Sequence, residues 1–229
     1  MISFKNIIKN RESESGFRLH IASLSVAPEE CVAITGPSGC GKSTALDLIG
    51  MLLRPDAAES MEMCFGGKRY DADALWKENA SDTMARIRKE YMGYVLQTGE
   101  LLPFLTVSEN IELTSTGGAE EAYHLMESLK IEHKANAYPS SISIGERQRA
   151  AIARALASSP KLLLADEPTA ALDPDLARSV MSLFLECAKK KKTAVLMVSH
   201  DVHLVEAFRF RRVNIRMLRD EAGLLAELG

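Results

Sequence analysis

The 229-residue sequence predicts a mixed α/β fold: a largely parallel sheet interrupted by a helical insertion. Three observations carry this. Short, mainly apolar runs at 30–35, 161–165 and 193–198 lie next to stretches of helical period, the pattern of strands buried on both faces. A glycine-rich turn at 36–41 sits between the first of these runs and a helix. Between about 106 and 158 helical patterns dominate, so the α/β core is split between the two ends of the chain.

Taken in order, residues 2–8 and 17–24 read as strands, the second with partial alternation, and 30–35 as a third. Residues 42–53 read as a helix that stops near Arg54 and Pro55, because proline ends a helix close by. Further strands are expected at 61–65 and 91–96, around a charged helix at 82–89. Helices follow at 107–113, 119–129 and 146–157, then a strand at 161–165, a helix at 174–188 and a strand at 193–198. There is no internal repeat and no low-complexity linker.

Composition narrows the function classes. Lys plus Arg is 28 and Asp plus Glu is 31, giving a net charge of −3. That is unlike the basic excess of a dedicated nucleic-acid binder. Hydrophobic content of 46% with 26% charged residues is ordinary globular composition. No apolar run reaches membrane-spanning length. Residues 1–12 mix Lys5, Lys9, Arg11 and Glu12 with no apolar segment, so a leader peptide is not expected. Cys31, Cys40, Cys64 and Cys187 are scattered without metal-ligand spacing and read as reduced thiols.

The strongest chemical signal is Gly36, Pro37, Ser38, Gly39, Cys40, Gly41, Lys42, Ser43 and Thr44, which fits G-x-x-x-x-G-K-[ST] between strand and helix. Glycines let successive backbone N–H groups face a phosphate chain, and the helix N-terminus adds partial positive charge. Lys42 can reach the terminal phosphates, and the Ser43 hydroxyl can ligate Mg²⁺. Leu162, Leu163, Leu164 and Ala165 then lead into Asp166 and Glu167. A carboxylate at the strand end can hold Mg²⁺, and the next one can act as a general base, a role worth about 10²–10⁴-fold.

With these motifs in place the chain resembles the nucleotide-binding subunits of ABC transporters over nearly its whole length. Gln97 after a strand is similar to the family's Q-loop. Ser141, Ile142, Ser143, Ile144, Gly145 and Glu146 fall where its signature belongs, and Asp166 and Glu167 fit its second Walker motif. Ala171, Leu172 and Asp173 match the D-loop, and His200 the switch histidine. The resemblance implies one ABC ATPase domain over 1–229. Its P-loop NTPase (RecA-like) core occupies about 1–97 and 159–229, with an N-terminal antiparallel β subdomain. An α-helical subdomain is inserted at about 98–158.

It also implies ATP and Mg²⁺ as ligands. Ser43, Gln97 and Asp166 would organise the metal, and Glu167 would activate water with His200, Gln97 and Lys42 around it. Ser143 and Gly145 would touch the γ-phosphate bound to a second subunit, and Asp173 would lie across that interface. Phe17 is the natural candidate for adenine stacking, with Phe4 as the other. Implied partners are an integral membrane permease and a second ATPase subunit, a homodimer, with no nucleic acid. The implied location is cytoplasmic, peripheral on the inner membrane's cytoplasmic face.

The signature departs from the family's Leu-Ser-Gly-Gly-Gln. Ile144 replaces a glycine, so a positive φ there would be strained. Glu146 puts an acid near phosphate. Slower or more partner-dependent hydrolysis is the expectation. The stretch from Leu101 to Asn110 is similar to lipoprotein-releasing, macrolide-export and cell-division ABC ATPases, pointing to export, extraction or mechanotransmission. Leu101, Leu102, Phe104 and Leu105 are the candidates for a permease-docking groove. An importer subunit, or a soluble or regulatory ATP clamp of low turnover, are the alternatives. Two basic stretches have ordinary readings: 189–192 as the end of a helix, complementing its dipole, and Arg209, Arg211 and Arg212 as a solvated strand face.

Overall fold

A computed structural model describes residues 2–10, 17–220 and 223–229. Met1, Arg11 and Glu12, part of the leader-peptide reading, lie outside the described residues. The N-terminal part contains β1 (Ile2–Asn10), β2 (Arg18–Val26), β3 (Cys31–Thr35) and α1 (Lys42–Ile49). It continues through β4 (Ser60–Phe65), β5 (Lys68–Asp71), α2 (Ala72–Lys77), α3 (Ser81–Tyr91) and β6 (Met92–Val95). The middle holds α4 (Val107–Glu112), α5 (Gly118–Ser128) and α6 (Ile144–Ala157), with 3-10 turns at Glu132–Lys134 and Pro139–Ser141. The chain closes with β7 (Leu162–Asp166), α7 (Pro174–Lys191), β8 (Ala194–Val198), α8 (Val202–Ala207), β9 (Arg211–Asp220) and β10 (Gly223–Leu228).

Among the described residues ten strands form one sheet, in the order β5-β4-β1-β2-β10-β9-β3-β8-β7-β6. The half from β9 to β6 is parallel throughout. The other half is antiparallel except where β10 runs parallel to β2. Every residue of β3, β7 and β8 is buried. Val32, Ile34, Leu162, Leu164 and Leu196 face one core, and Ala33, Leu163, Ala165, Val195 and Met197 face the other. Two-sided burial is why these strands read as continuous apolar runs. The first core packs α1 and α3 against the curled antiparallel strands. The second joins the face under α7 to the helical segment, where Phe184 and Ile152 are fully buried. Each such side chain is worth about 1.5–3 kcal/mol of burial.

Helix boundaries follow local chemistry. Thr106 and Glu109 close a capping box on α4, and Ser143 and Glu146 close one on α6, each satisfying orphan N–H groups at both ends of the box. Asp173 accepts from the N–H groups of Asp175 and Leu176, with Pro174 at the first helical position of α7. Helix α7 runs three residues past its expected end and carries Lys189, Lys190 and Lys191 in its last turn, where cations complement the dipole. Two of them also pair with carboxylates, Lys190 with Glu186 and Lys191 with Glu121, both at 2.6 Å.

The α1 expectation is corrected. The helix ends at Ile49, not near Leu53, because Gly50 caps it and Met51 turns to φ +53°. Proline five residues beyond merely follows an end already made. Tyr91 belongs to α3, not to the strand after it. Arg211 and Arg212 do lie exposed on a strand, whereas Arg209 sits in the turn before it at φ +56°; neither strand arginine is bare. Arg211 bonds Glu30 at 2.5 Å and the Ser25 carbonyl, and Arg212 bonds Glu206 at 2.8 Å.

Candidate nucleotide and metal site

The parallel register decides which loops meet. Val95 pairs with Ala165, Asp166 with Val198, and Val198 with Ile34. The segments leaving β3, β8, β7 and β6 therefore emerge side by side at one sheet edge. They carry, in spatial order, the 36–41 turn, His200, Asp166 with Glu167, and Gln97. Ligands of open parallel sheets bind at this carboxyl edge.

The turn is shaped for backbone donors. Gly39 sits at φ +76° and Gly41 at φ +91°. A Cβ on Gly41 would also lie 3.1 Å from the Phe17 ring. Lys42, 7% exposed, donates to the carbonyls of Gly36 at 3.0 Å and Pro37 at 2.8 Å, so its ammonium lies over the turn that it would share with a phosphate. Cys40 is buried beneath the loop, and burial pushes its thiol up from the ordinary range. Ser43 is exposed at the start of α1 and donates to Asp166.

Asp166 is 7% exposed, and its Oδ1 has no hydrogen-bond partner. Burial raises its pKa, helped by the charges of Glu167 and Asp47 and opposed by Ser43 and Lys42. A buried, half-satisfied carboxylate beside a serine hydroxyl is a hard-oxygen donor set of the kind Mg²⁺ takes. Glu167 holds φ +46°, an uncommon conformation for a non-glycine residue that costs of order 1–3 kcal/mol. The backbone over-determines it: its N–H donates to the Val198 carbonyl at 3.1 Å, and its carbonyl accepts from Ala170 at 3.1 Å. Its carboxylate meets His200 Nδ1 at 3.3 Å. Lys42, Ser43 and Asp166 thus form one group, and Glu167 with His200 another, on neighbouring strand ends.

Gln97 is exposed two residues beyond β6. Ser143 and Gly145 stand apart from this group at the start of α6. Ser143 bonds Glu146, and a Cβ on Gly145 would lie 3.0 Å from the Ala171 carbonyl, so the signature segment packs against its own D-loop. Ile144 occupies the first turn of α6 and is not among the positive-φ residues, so the expected strain is absent. Its side chain is 63% exposed. Phe17 is buried, with its ring against Gly41, and Phe4 is deeper still in the core.

This arrangement agrees with what the chain resembles among known proteins. The pattern of the ABC transporter family matches residues 19–170. An uncharacterised ABC transporter ATP-binding protein of Methanocaldococcus jannaschii, MJ0796, is 35% identical over 217 residues, 89% of this chain and 88% of that protein. The chain belongs to the ABC transporter family. The dimeric MJ0796 cassette in a post-hydrolysis state, bound to ADP and Pi, superposes with a TM-score of 0.79 at 31% identity, covering 94% of this chain and 93% of that one. A second dimeric MJ0796 cassette structure gives 0.79 at 30%, covering 99% and 94%. The ABC cassette fold and ATP hydrolysis therefore stand for this chain.

Several supports of the site were not read from the sequence. Tyr94 donates to Asp47 at 2.8 Å, tying β6 to α1 behind Asp166. Gly99, at φ +60°, lets the Q-loop lie on α6, where a Cβ would meet the Arg147 carbonyl at 3.1 Å. Arg154 donates to the Glu100 carbonyl at 2.6 Å. Buried Asn110 shapes the loop over 102–106 through the Leu102 N–H and carbonyl and the Leu105 and Thr106 carbonyls. Its position after Ser108 and Glu109, on the inner face of a capped helix, was the available signal. Of the docking candidates, Leu101, Leu102 and Leu105 are half-buried, and Phe104 is 71% exposed.

Proposed function

We propose that this chain is the ATP-hydrolysing subunit of a membrane ABC transporter. It works as a homodimer on the cytoplasmic face of the membrane. The observation that carries the reading is the single sheet edge that gathers Lys42, Ser43 and Asp166 beside Glu167 and His200. Among the described residues no helix is long and apolar enough to cross a membrane; in this reading a permease partner supplies the membrane-spanning part. Phe104, exposed at the helical subdomain's loop, is the proposed contact for it. The Leu101 to Asn110 stretch supports export, extraction or mechanotransmission over import.

In this reading the turn's N–H groups and Lys42 hold the β- and γ-phosphates. Lys42 exchanges its two carbonyl bonds for phosphate oxygens. Phe17 borders the turn on the base side. Ser43, Asp166 and Gln97 would hold Mg²⁺, which when bound neutralises phosphate charge. Glu167 accepts a proton from the attacking water as the bond from the γ-phosphorus to the bridging oxygen breaks, leaving ADP and phosphate. His200 orients Glu167 and the γ-phosphate. Ser143 and Gly145 complete the site of the second subunit, and Asp173 lies near the same interface.

The test is phosphate release and sedimentation of the isolated chain, with and without Glu167→Gln. The expected result is ATP-dependent dimerisation that the variant prolongs and turnover that it abolishes. Tight ATP-driven dimers with no turnover in the parent chain would instead favour the regulatory clamp. A chain that stays monomeric at saturating ATP would overturn the reading.

A further inference from the structure

The acid at the signature position is not left facing phosphate alone. Glu146 Oε2 accepts from the Ser143 N–H at 2.8 Å, and the Glu146 N–H donates to Ser143 Oγ at 3.2 Å. The other oxygen, Oε1, lies 3.6 Å from Lys134 Nζ and 3.7 Å from His133 Nε2. Its side chain is only 17% exposed. Both side chains come from the 3-10 turn Glu132–Lys134, and that turn is fixed. Ile131 before it is fully buried, and the Lys134 N–H donates to the Ile131 carbonyl at 2.9 Å. Just after it, the carbonyls of Ala135 and Ala137 accept from the first N–H groups of α4, both at 2.9 Å. Lys134 is thus presented to Glu146 by a braced turn.

A carboxylate in the first turn favours the α6 dipole but repels an incoming anion. A neutral amide at this position would cap the helix without that repulsion. We infer that Lys134 is a positioning residue that cancels the charge of Glu146, so that α6 still presents an electropositive end to the nucleotide of a second subunit. Oε2 does the capping and Oε1 takes the cation, which keeps Ser143 Oγ–H free to donate to phosphate. This rests on the dimeric reading proposed above.

The experiment is a charge cycle in the full chain carrying Glu167→Gln: Lys134→Met, Glu146→Gln, and both together. The ATP-driven monomer–dimer equilibrium is followed by sedimentation in Mg²⁺ at low and high salt. The Lys134–Glu146 pair is present in monomer and dimer alike, so its own energy cancels. Association reads the uncompensated Glu146 charge against the facing phosphate, worth up to about fivefold at each of two sites, so Lys134→Met should weaken association about five- to twentyfold at low salt. The effect should shrink at high salt. The double variant should recover to within about twofold of the parent, and Glu146→Gln alone should tighten association. Melting temperatures without nucleotide should agree across all four proteins to within about 2 °C, since surface changes carry little stability. If the parent dimerises but Lys134→Met has no effect, or the double variant stays as weak as Lys134→Met, the inference is overturned alone. If the parent stays monomeric, the functional reading falls and takes the inference with it.

Discussion

Replacing Asp166 by Asn should make the ligand-free chain more stable and its Mg·ATP complex less so. The carboxylate is 7% exposed with Oδ1 unpartnered, and its charge is opposed by burial and by Glu167 and Asp47. An unsatisfied buried polar group costs about 1–3 kcal/mol. A neutral amide keeps the Ser43 contact and, although its NH2 takes the unpartnered position, removes the buried charge and its repulsion by Glu167 and Asp47, a gain of about 1–2 kcal/mol. Unfolding entropy near 2.1 cal/mol/K per residue gives about 0.5 kcal/mol per degree for a chain of this length, so the gain is about 2–4 °C. Ligand at 100 times its Kd stabilises the parent by about 2.7 kcal/mol, or about 6 °C. The variant loses the metal-dependent part of that shift, so the two melting curves exchange order when Mg²⁺ and ATP are added. Differential scanning fluorimetry across a Mg²⁺ titration reads both halves. A variant that melts below the parent without ligand would show that the carboxylate is already satisfied. A variant that keeps the full Mg²⁺-dependent shift would place the metal elsewhere.

Three further outcomes follow from single contacts. Glu167→Gln should lower turnover at least about 10²-fold while nucleotide binding stays within a few-fold, measured by phosphate release and a fluorescent ATP titration. Gly93→Ala should cost at least about 3 kcal/mol, because its Cβ would lie 2.4 Å from the Ala155 carbonyl in α6 and backbone must move; urea denaturation reads it. Lys191→Met should cost under about 1 kcal/mol, since the pair is partly exposed at 36% and 24%. Burial raises the Glu121 pKa, but the Lys191 bond and charge, with Gly117 and Thr116, hold it below its ordinary 4.5. A depressed folded pKa gives stability that is present above about 4.5 and lost as pH falls through the lower folded value. The melting difference between Lys191→Met and the parent should therefore be largest at neutral pH and close as pH drops below that range.

The core strands and the turn at 36–41 were legible because their signals are local. Two-sided burial writes itself as Leu162, Leu163 and Leu164 in succession, and a phosphate turn demands its own glycines. The two capping boxes carry a local signal too, Thr106-x-x-Glu109 and Ser143-x-x-Glu146, although the sequence reading does not use it. What was not legible depends on partners far along the chain. The start of β9 reads as a solvated strand face, but its central place and its partner β10 are not legible: β9 carries Arg211, Arg212, Arg216 and Arg219, yet the pair sits mid-sheet between β2 and β3. Its edges are covered by pairing, so its polar alternation is tolerated. The short α2, capped by Asp71 after a four-residue strand, is held by tertiary packing of Leu75 and Trp76 rather than by its own period. The end of α1 was misread for a related reason. Proline is a strong stop, but Gly50 acted first.

The same contrast explains the two halves of the site. Asp166, Glu167, His200 and the turn come off adjacent strand ends, so parallel register alone brings them together, and a one-residue slip would separate them all. That half is a property of one sheet. Ser143 and Gly145 open a helix packed on α4, α5 and β6, their own neighbours being Glu146 and Ala171, and among the described residues no contact brings them to Lys42. Their substitutions are accordingly of another kind. Ile144 is exposed where a helix-end side chain costs nothing in the monomer, and Glu146 is compensated locally by Lys134. A sheet-edge residue is constrained by this chain's own fold, whereas on the dimeric reading proposed above a signature residue has only to fit the surface of a second copy. Departures from the family pattern therefore concentrate in the half whose partner lies outside the chain.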